Sequence, residues 1–531
     1  MSRKKILAVL LVITLLLTLA AGCRQASDNQ PVLRYALEAE PATLDPAKST
    51  AIPESLIELQ LFEGLTRLDA HDQPAPGVAE QWEISPNGLK YRFYLRPDAK
   101  WSNGELVTAQ DFEFAWKRAL SPEVASENAY MLFPIKNAQA YNDKKVTADQ
   151  VGVTAINDHI LEVTLEKPTA YFLSLVAFHA FYPVNQQTVT ANPDKWALSA
   201  PTLISNGPFI LTNWVHNGKI EFANNTHYWD RAAVKLTKMS WPIIDSQATR
   251  LLLVENRQVD MMVEPPVVEH DRLNQAGLLQ IAPYLGIYYY VFNTKQAPFD
   301  NPKVRKAFAL AINREMLVKN VIKGGKQPAY AWVAPGLIDP VTGQDFRQEG
   351  GNYAFKDATQ AKELLAEAGY PNGSNLPPIT ILFNTGEMHK AIAEAIQEMW
   401  KQNLGVNVQL TNQESKVFLE SRNQGEFQIA RASWIGDYAD PMTFIDVFHD
   451  PENDAKYDNP VYNALVEQAQ STNDPLVRMQ AMHDAEQVLF DDAVIIPIYY
   501  TTQPFIAQPY VKGYVWSVLG LADFKTAYIE K

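Results

Sequence analysis

The chain has 531 residues, 47% of them hydrophobic and 20% charged, with a formal charge of −14. That length makes two to four domains at about 100–200 residues each, and the acidity argues against nucleic-acid binding through general charge. A single cysteine excludes an internal disulfide, so stability must come from core burial.

At the start, Arg3, Lys4 and Lys5 precede an almost wholly apolar run over residues 6–21. A basic start, an apolar centre of about 15 residues and small residues behind it describe a secretory signal over residues 1–22. The run is short for a membrane span, which needs about 20 apolar residues. The run ends in Leu19-Ala20-Ala21-Gly22-Cys23, and this segment resembles the acylation site of bacterial lipoproteins. The resemblance implies cleavage before Cys23 and lipidation of its thiol; it departs from the pattern at Ala20, where Leu is commoner. Cleavage removes three cations and no acid, which takes the charge from −14 to −17. Acyl chains must therefore do the anchoring, and stable attachment takes two or more. Residues 23–31 are polar and read as a tether.

Next along the chain, Tyr91, Phe93 and Leu95 alternate with Lys90, Arg92 and Arg96, the pattern of a half-buried strand. Trp101-Ser102-Asn103-Gly104 is a turn. Thr108 caps a helix, with Asp111 at its third position and Phe112, Ala115, Trp116 and Ala119 on the buried face. Leu161, Val163 and Leu165 mark another strand. Farther on, Asn301-Pro302 opens a helix, and residues 357–368 form one stopped by Gly369. A third carries Ile392, Ala395, Ile396, Met399 and Trp400; Gly405 ends it, and Val406, Val408 and Leu410 alternate as a strand. Helix, glycine and strand in succession predict α/β layers. No internal repeat, low-complexity tract or long flexible linker divides the chain.

Residues 74–112 read PAPGVAEQWEISPNGLKYRFYLRPDAKWSNGELVTAQDF. This stretch resembles the signature of extracytoplasmic solute-binding proteins of the peptide/nickel family, the receptor subunits of peptide ABC importers. Further matches are Leu61-Phe62-Glu63-Gly64-Leu65, Asn206-Gly207-Pro208-Phe209, Val304-Arg305-Lys306-Ala307-Phe308 and Pro497-Ile498-Tyr499-Tyr500. The resemblance runs from about residue 32 to the end and is nearest to the oligopeptide-binding branch. It implies an α/β fold: a two-lobed periplasmic-binding-protein type II clamp, with an extra domain inserted in the N-terminal lobe. Mapped here, lobe I takes residues 32–52, 184–283 and 504–531, the inserted domain 53–183, and lobe II 284–503. Crossings at 284–290 and 499–502 form the hinge; their tyrosines also suit strand and core packing.

A receptor for many peptides grips their common features, and pairing with the ligand as a β-strand ignores its sequence. Within Arg431-Ala432-Ser433-Trp434-Ile435-Gly436-Asp437-Tyr438, the resemblance puts Asp437 on the position that takes the peptide ammonium. Trp434 falls on an aromatic lining the cleft, and the main chain of the segment, with Ser433 and Ile435, pairs with the ligand. On composition alone Asp437 reads as a surface loop carboxylate, and only the resemblance reverses that. Asp440 suits a turn or cap. For the peptide carboxylate, Arg431, His389 and (with one gap) Lys323 match cationic family positions; Arg431 also suits a structural ion pair, and His389 a helix start. Ser415 stands where close relatives carry a tryptophan, which predicts a larger or wetter pocket. Asn128 stands where they carry a tyrosine, a loss for which Tyr130 is placed to compensate. Glu40 matches a strand edge that pairs with ligand.

The resemblance implies a binding protein with oligopeptides and permease subunits as partners, held to the membrane through Cys23, monomeric, and with no catalytic residue, metal or cofactor. Other solutes remain open for the same fold: a dipeptide, murein peptide, nickel chelate or haem. A secreted hydrolase using Asp437 and Asp440 as paired carboxylates is the other class. Against it stands the absence of nucleophile-elbow, zinc-protease and phosphate-loop motifs, and the nine histidines are scattered singly.

Overall fold

The computed structural model describes residues 31–449 and 452–530. The signal segment, Cys23 and nearly all of the tether lie outside the described residues. Among the described residues, no helix is long and apolar enough to cross a membrane.

The principal feature is an 11-stranded mixed sheet that changes its source of strands halfway across. Two long strands, Leu279–Phe292 and Ile495–Ala507, lie side by side at its centre. On one flank the order is Ile429–Ile435, Ile379–Asn384, Val408–Gln413. On the other it is Met261–Val263, Val32–Ala36, Lys238–Pro242, Lys219–Asn224, Phe209–Val215. The two long strands keep each other as partners through both flanks, with a register break between Pro283 and Ile287. Before the break, residues 279–283 pair with 502–506, and 505–507 pair with Met261–Val263. After it, residues 286–292 pair with Ile429–Ile435. The register break falls where the outer partners of these two strands change from one flank to the other.

Side chains alternate across a strand, and here the alternation serves two cores. Ile287, Tyr289 and Val291 join a cluster containing Trp332, Phe444 and Met482. Tyr288, Tyr290 and Phe292 join another with Phe308, Ile381 and Trp400. The Tyr-rich run is thus core on both faces, as well as the crossing.

A separate antiparallel sheet runs Ala79–Ile84, Lys90–Leu95, Ile160–Thr164, Val153–Asn157. Helix Ala109–Ala119 packs on it, buried through Phe112, Ala115, Trp116 and Ala119 as the periodicity predicts. The Asp111 carboxylate accepts from the Thr108 amide at 2.9 Å and from the Trp101 indole at 3.3 Å. Both ends of the Lys-Trp-Ser-Asn-Gly to Thr-Ala-x-Asp-Phe signature therefore meet in one cap. That stretch builds the fold and does not reach for a ligand. Glu63 and Asn206 do similar work: the Asn206 amide donates to the Glu63 carbonyl at 2.9 Å, and Glu63 accepts from Tyr228 at 2.5 Å. Gly207 sits where a Cβ would lie 2.5 Å from the Leu61 carbonyl carbon, so the chains meet only without a side chain there.

The remaining helices fall where their caps and stripes predict. Asn301 caps Pro302–Leu310, and Asp357 caps Ala358–Glu367. Glu387–Leu404 ends at Gly405 in the left-handed conformation, φ +73°. Helix Ile52–Leu61 runs unbroken through the lobe boundary expected at 52/53, and Gln60 donates to the Ala522 carbonyl at 2.9 Å.

Candidate ligand-binding cleft

The strand Ile429–Ile435 pairs along one edge with residues 286–292. On its other edge it meets Ile381 and Leu382 only at Ile429 and Ala430. From Arg431 onward that outer edge pairs with no strand among the described residues, a row of backbone donors and acceptors open to an added strand. Ser433 and Ile435 are exposed on it. Trp434 is half-buried, its indole donating to the Thr443 carbonyl at 2.7 Å. Gly436 leaves the strand where a Cβ would lie 2.6 Å from the Leu285 side chain, and its amide donates to the Leu285 carbonyl at 2.7 Å.

The chain then presents Asp437. Its amide donates to the Thr443 hydroxyl at 3.0 Å, and the Tyr130 hydroxyl hydrogen-bonds its carboxylate. Burial pushes its carboxyl up to about 6, an effect the Tyr130 bond only partly offsets. Asp437, Tyr130, Ser433, Trp434 and Asp446 line one cavity of about 950 Å³. Asp446 is a further buried carboxyl, pushed up to about 7 by burial and by repulsion from Asp437. Lys167 and Arg422 also line the cavity, and Arg422 is paired with Asp454 at 3.0 Å.

The ring of Tyr438 stacks on Tyr171 at 4.5 Å and 4°, which fixes the residue next to Asp437. Asp440 accepts both terminal nitrogens of Arg478, at 2.8 and 2.6 Å, and also the Met442 amide at 2.9 Å. It is a turn residue locked in an ion pair, so it cannot serve as the second carboxylate of a hydrolytic pair.

At the other end of the free edge, the Arg431 guanidinium lies 4.8 Å over the Tyr288 ring. Tyr288 stacks on Tyr499 at 4.9 Å, and its hydroxyl lies 3.1 Å from His389 Nδ1. Among the described residues no carboxylate pairs with Arg431, and its Nε is buried with no hydrogen-bond partner. Burial first, and then repulsion from Arg431, hold the His389 imidazole down at about 4. His389 is therefore neutral at pH 7 and enters as a hydrogen-bonding group. The cation at this end of the edge is Arg431.

The structure brings Asp437, Trp434, Ser433, Ile435, Arg431 and His389 to one strand edge and its neighbours. It sets others apart. Glu40 is occupied by the Trp214 indole at 3.0 Å, His216 at 2.7 Å and the Asn217 amide at 2.9 Å. Its side chain ties a loop to a hairpin and is not free for a ligand. The Asn128 amide donates to the Ser49 carbonyl at 2.8 Å and faces His179 at 3.2 Å; the neighbouring Tyr130 meets Asp437 instead. Lys323 is exposed with φ +59° behind a π-helical turn, and the next residue, Gly324, lies against Val267. Ser415 is exposed in the first turn of helix Ser415–Asn423, which Glu414 caps. Sequence reasoning missed Asp446 and Arg478. Asp446 follows the apolar run Met442–Ile445 and carries no motif; Arg478 is one polar residue of a regular helix.

Residues 73–456 match the family described as bacterial extracellular solute-binding proteins, family 5. The chain belongs to this family. The dipeptide-binding protein DppE of Bacillus subtilis is 39% identical over 505 residues, covering 94% of this chain and 92% of that protein. The oligopeptide-binding protein OppA of the same organism is 37% identical, covering 96% and 94%. The fold matches the murein tripeptide-binding protein MppA of Escherichia coli at 36% identity. The unliganded open form gives a TM-score of 0.84 over 94% of this chain and 98% of that one. A second MppA structure gives 0.72 over 95% and 99%. Of these two structures of one protein, the unliganded open form gives the higher score.

Proposed function

We propose that the chain is the substrate-binding lipoprotein of an ABC importer, and that it takes peptides in extended form. The peptide main chain pairs with the free edge at residues 431–435, its ammonium meets Asp437, and its carboxylate meets Arg431 with His389 and Tyr288 beside it. The observation that carries this reading is an open strand edge with an acid at one end and a guanidinium at the other, neither in a salt bridge among the described residues. The relatives named for dipeptides and oligopeptides support it. Six residues of strand, at about 3.3 Å each, set the two charges about 20 Å apart along the backbone. Less the reach of an arginine, that span suits peptides of roughly three to five residues. Charge-assisted bonds at the termini contribute roughly 1.5–3 kcal/mol each whatever the side chains.

The lobes, as we divide them, are 32–52 with 184–283 and 504–531, the insertion 53–183, and 284–503. The helix Ile52–Leu61 argues for starting the insertion after that helix. The break at residues 283–287 is then the hinge, and ligand shifts an open-to-closed equilibrium. Attachment to the membrane through Cys23, delivery to permease subunits and a monomeric state complete the reading. Calorimetry with a series of two- to six-residue peptides, each free or blocked at one terminus, tests it. Free peptides of three to five residues should bind best, and blocking either end should weaken them. Equal binding of all blocked forms would end the proposal.

A further inference from the structure

Away from the cleft, three donors from three chain segments converge. Asp339 lies in the loop before helix Phe346–Gly350, Glu349 lies on that helix, and His483 lies on the long helix Pro475–Asp491. One donor atom from each comes within 4.8 Å of the others. Asp339 is buried, Glu349 exposed and His483 half-buried.

Two independent features of His483 set this group apart from a chance surface cluster. Both ring nitrogens are enclosed, and neither has a hydrogen-bond partner. Enclosed polar atoms without a partner are uncommon, and each lost bond costs about 1–3 kcal/mol. The ring is also held in place, stacked on Phe346 at 3.8 Å and 9°. The residue facing it is Gly350, where a Cβ would lie 2.7 Å from Nδ1. A glycine there leaves the nitrogen uncrowded. Burial and the nearby Arg347 lower the affinity of the imidazole for a proton, while Glu486 and Asp339 oppose them. Arg347 is itself engaged through one terminal nitrogen with the fully buried Glu486 at 2.5 Å.

We propose that Asp339, Glu349 and His483 form a site for one borderline divalent cation of the zinc and cobalt class. One imidazole and two carboxylates are a donor set that such ions take readily, with water completing the shell. Ligands about 2.0 Å from a tetrahedral ion lie roughly 3.3 Å apart, so the group must contract from its present spacing. Glu349, exposed on a short helix, is the donor free to move. Asp339 is the anchored one, its carboxylate accepting the Val341 amide at 2.6 Å. A bound ion would clip the loop and short helix onto the long helix within one lobe. It would leave the strand edge at 431–435 untouched, so the site stands or falls apart from peptide binding.

The test uses the full chain, stripped with chelator and titrated with Zn2+ by calorimetry and with Co2+ by absorption. The expected result is one saturable equivalent per chain and a rise in Tm with Zn2+. Binding should weaken at least tenfold in His483→Gln and in Asp339→Asn. Glu349→Gln, an exposed change that leaves the core alone, should weaken it too, and keeps the test valid if a buried variant misfolds. Peptide affinity should be the same with and without Zn2+. No saturable binding to the wild-type chain, or binding that all three variants retain, would overturn the site.

Discussion

Asp437 and Arg431 stand six residues apart, at opposite ends of one free strand edge, and their surroundings differ in kind. The Asp437 carboxylate is buried with one phenol for company, and its charge is disfavoured in the empty protein. The Arg431 guanidinium lies on the face of Tyr288, an environment that already favours a cation. An ammonium arriving at Asp437 relieves a cost that folding left in place. A carboxylate arriving at Arg431 replaces part of an existing contact. The acid end should therefore dominate affinity, and the arginine end should adjust it.

The largest effect should come from Asp437→Asn. Removing one partner of a buried charge pair costs about 3–5 kcal/mol, so free peptides should bind roughly 10²–10³-fold more weakly by calorimetry. Arg431→Gln should do less. Losing a charge-assisted bond of about 1.5–3 kcal/mol predicts a loss of about 10–100-fold, confined to peptides with a free carboxylate. Equal losses from the two substitutions would erase the contrast between the ends.

Acid pH should separate the ends without mutation. The peptide ammonium needs Asp437 ionised, and that group titrates at about 6 in the empty cleft. Below that pH, binding must displace a proton, so affinity should fall about tenfold per pH unit. Proton release should appear as a dependence of the binding enthalpy on the buffer. The proton in this linkage belongs to Asp437, so Arg431→Gln should keep the same pH profile. A flat profile from pH 7 to 5 would mean that the ammonium does not meet Asp437.

The smallest effect concerns stability. The folded pKa of Asp437 lies above its unfolded value, so the ionised form is less favoured in the fold than in the open chain. The cost is therefore present at neutral pH and disappears as pH falls through about 6 towards the ordinary carboxylate range. Asp437→Asn should stabilise the empty protein by about 1–3 kcal/mol at pH 7 and by nothing measurable at pH 4, read from urea unfolding. A destabilised variant at pH 7 would assign Asp437 to the architecture.

What the sequence revealed divides along the same lines. Helix stripes, caps and the alternating strands were legible because they rest on local periodicity, as at Thr108 with Asp111 and at Gly405. The family motifs located the fold, although Trp101, Glu63, Asn206 and Gly207 turned out to serve packing. Asp437 and Arg431 were legible only through the resemblance. Nothing in their own spacing says that the outer edge of their strand goes unpaired beyond Ala430. That fact depends on where the strand Ile379–Asn384 diverges. The neutrality of His389 was hidden because it depends on burial beside Arg431. The side-chain partners of Glu40 and Asn128 could not be read from the sequence, because Trp214 and Ser49 lie 174 and 79 residues away in the chain. Asp446 carried no signal at all, since its importance lies in facing Asp437 across a cavity.

The central claim is that Asp437 holds the peptide N-terminus, and a double-mutant cycle tests it most directly. One arm changes Asp437 to Asn, and the other replaces a free tetrapeptide with its N-acetyl form. Each change alone should weaken binding about 10²-fold or more. Made together, they should weaken it little further, because the charge that Asp437 serves is already gone. Losses that simply add would contradict the account and place the anchor for the ammonium elsewhere in the cleft.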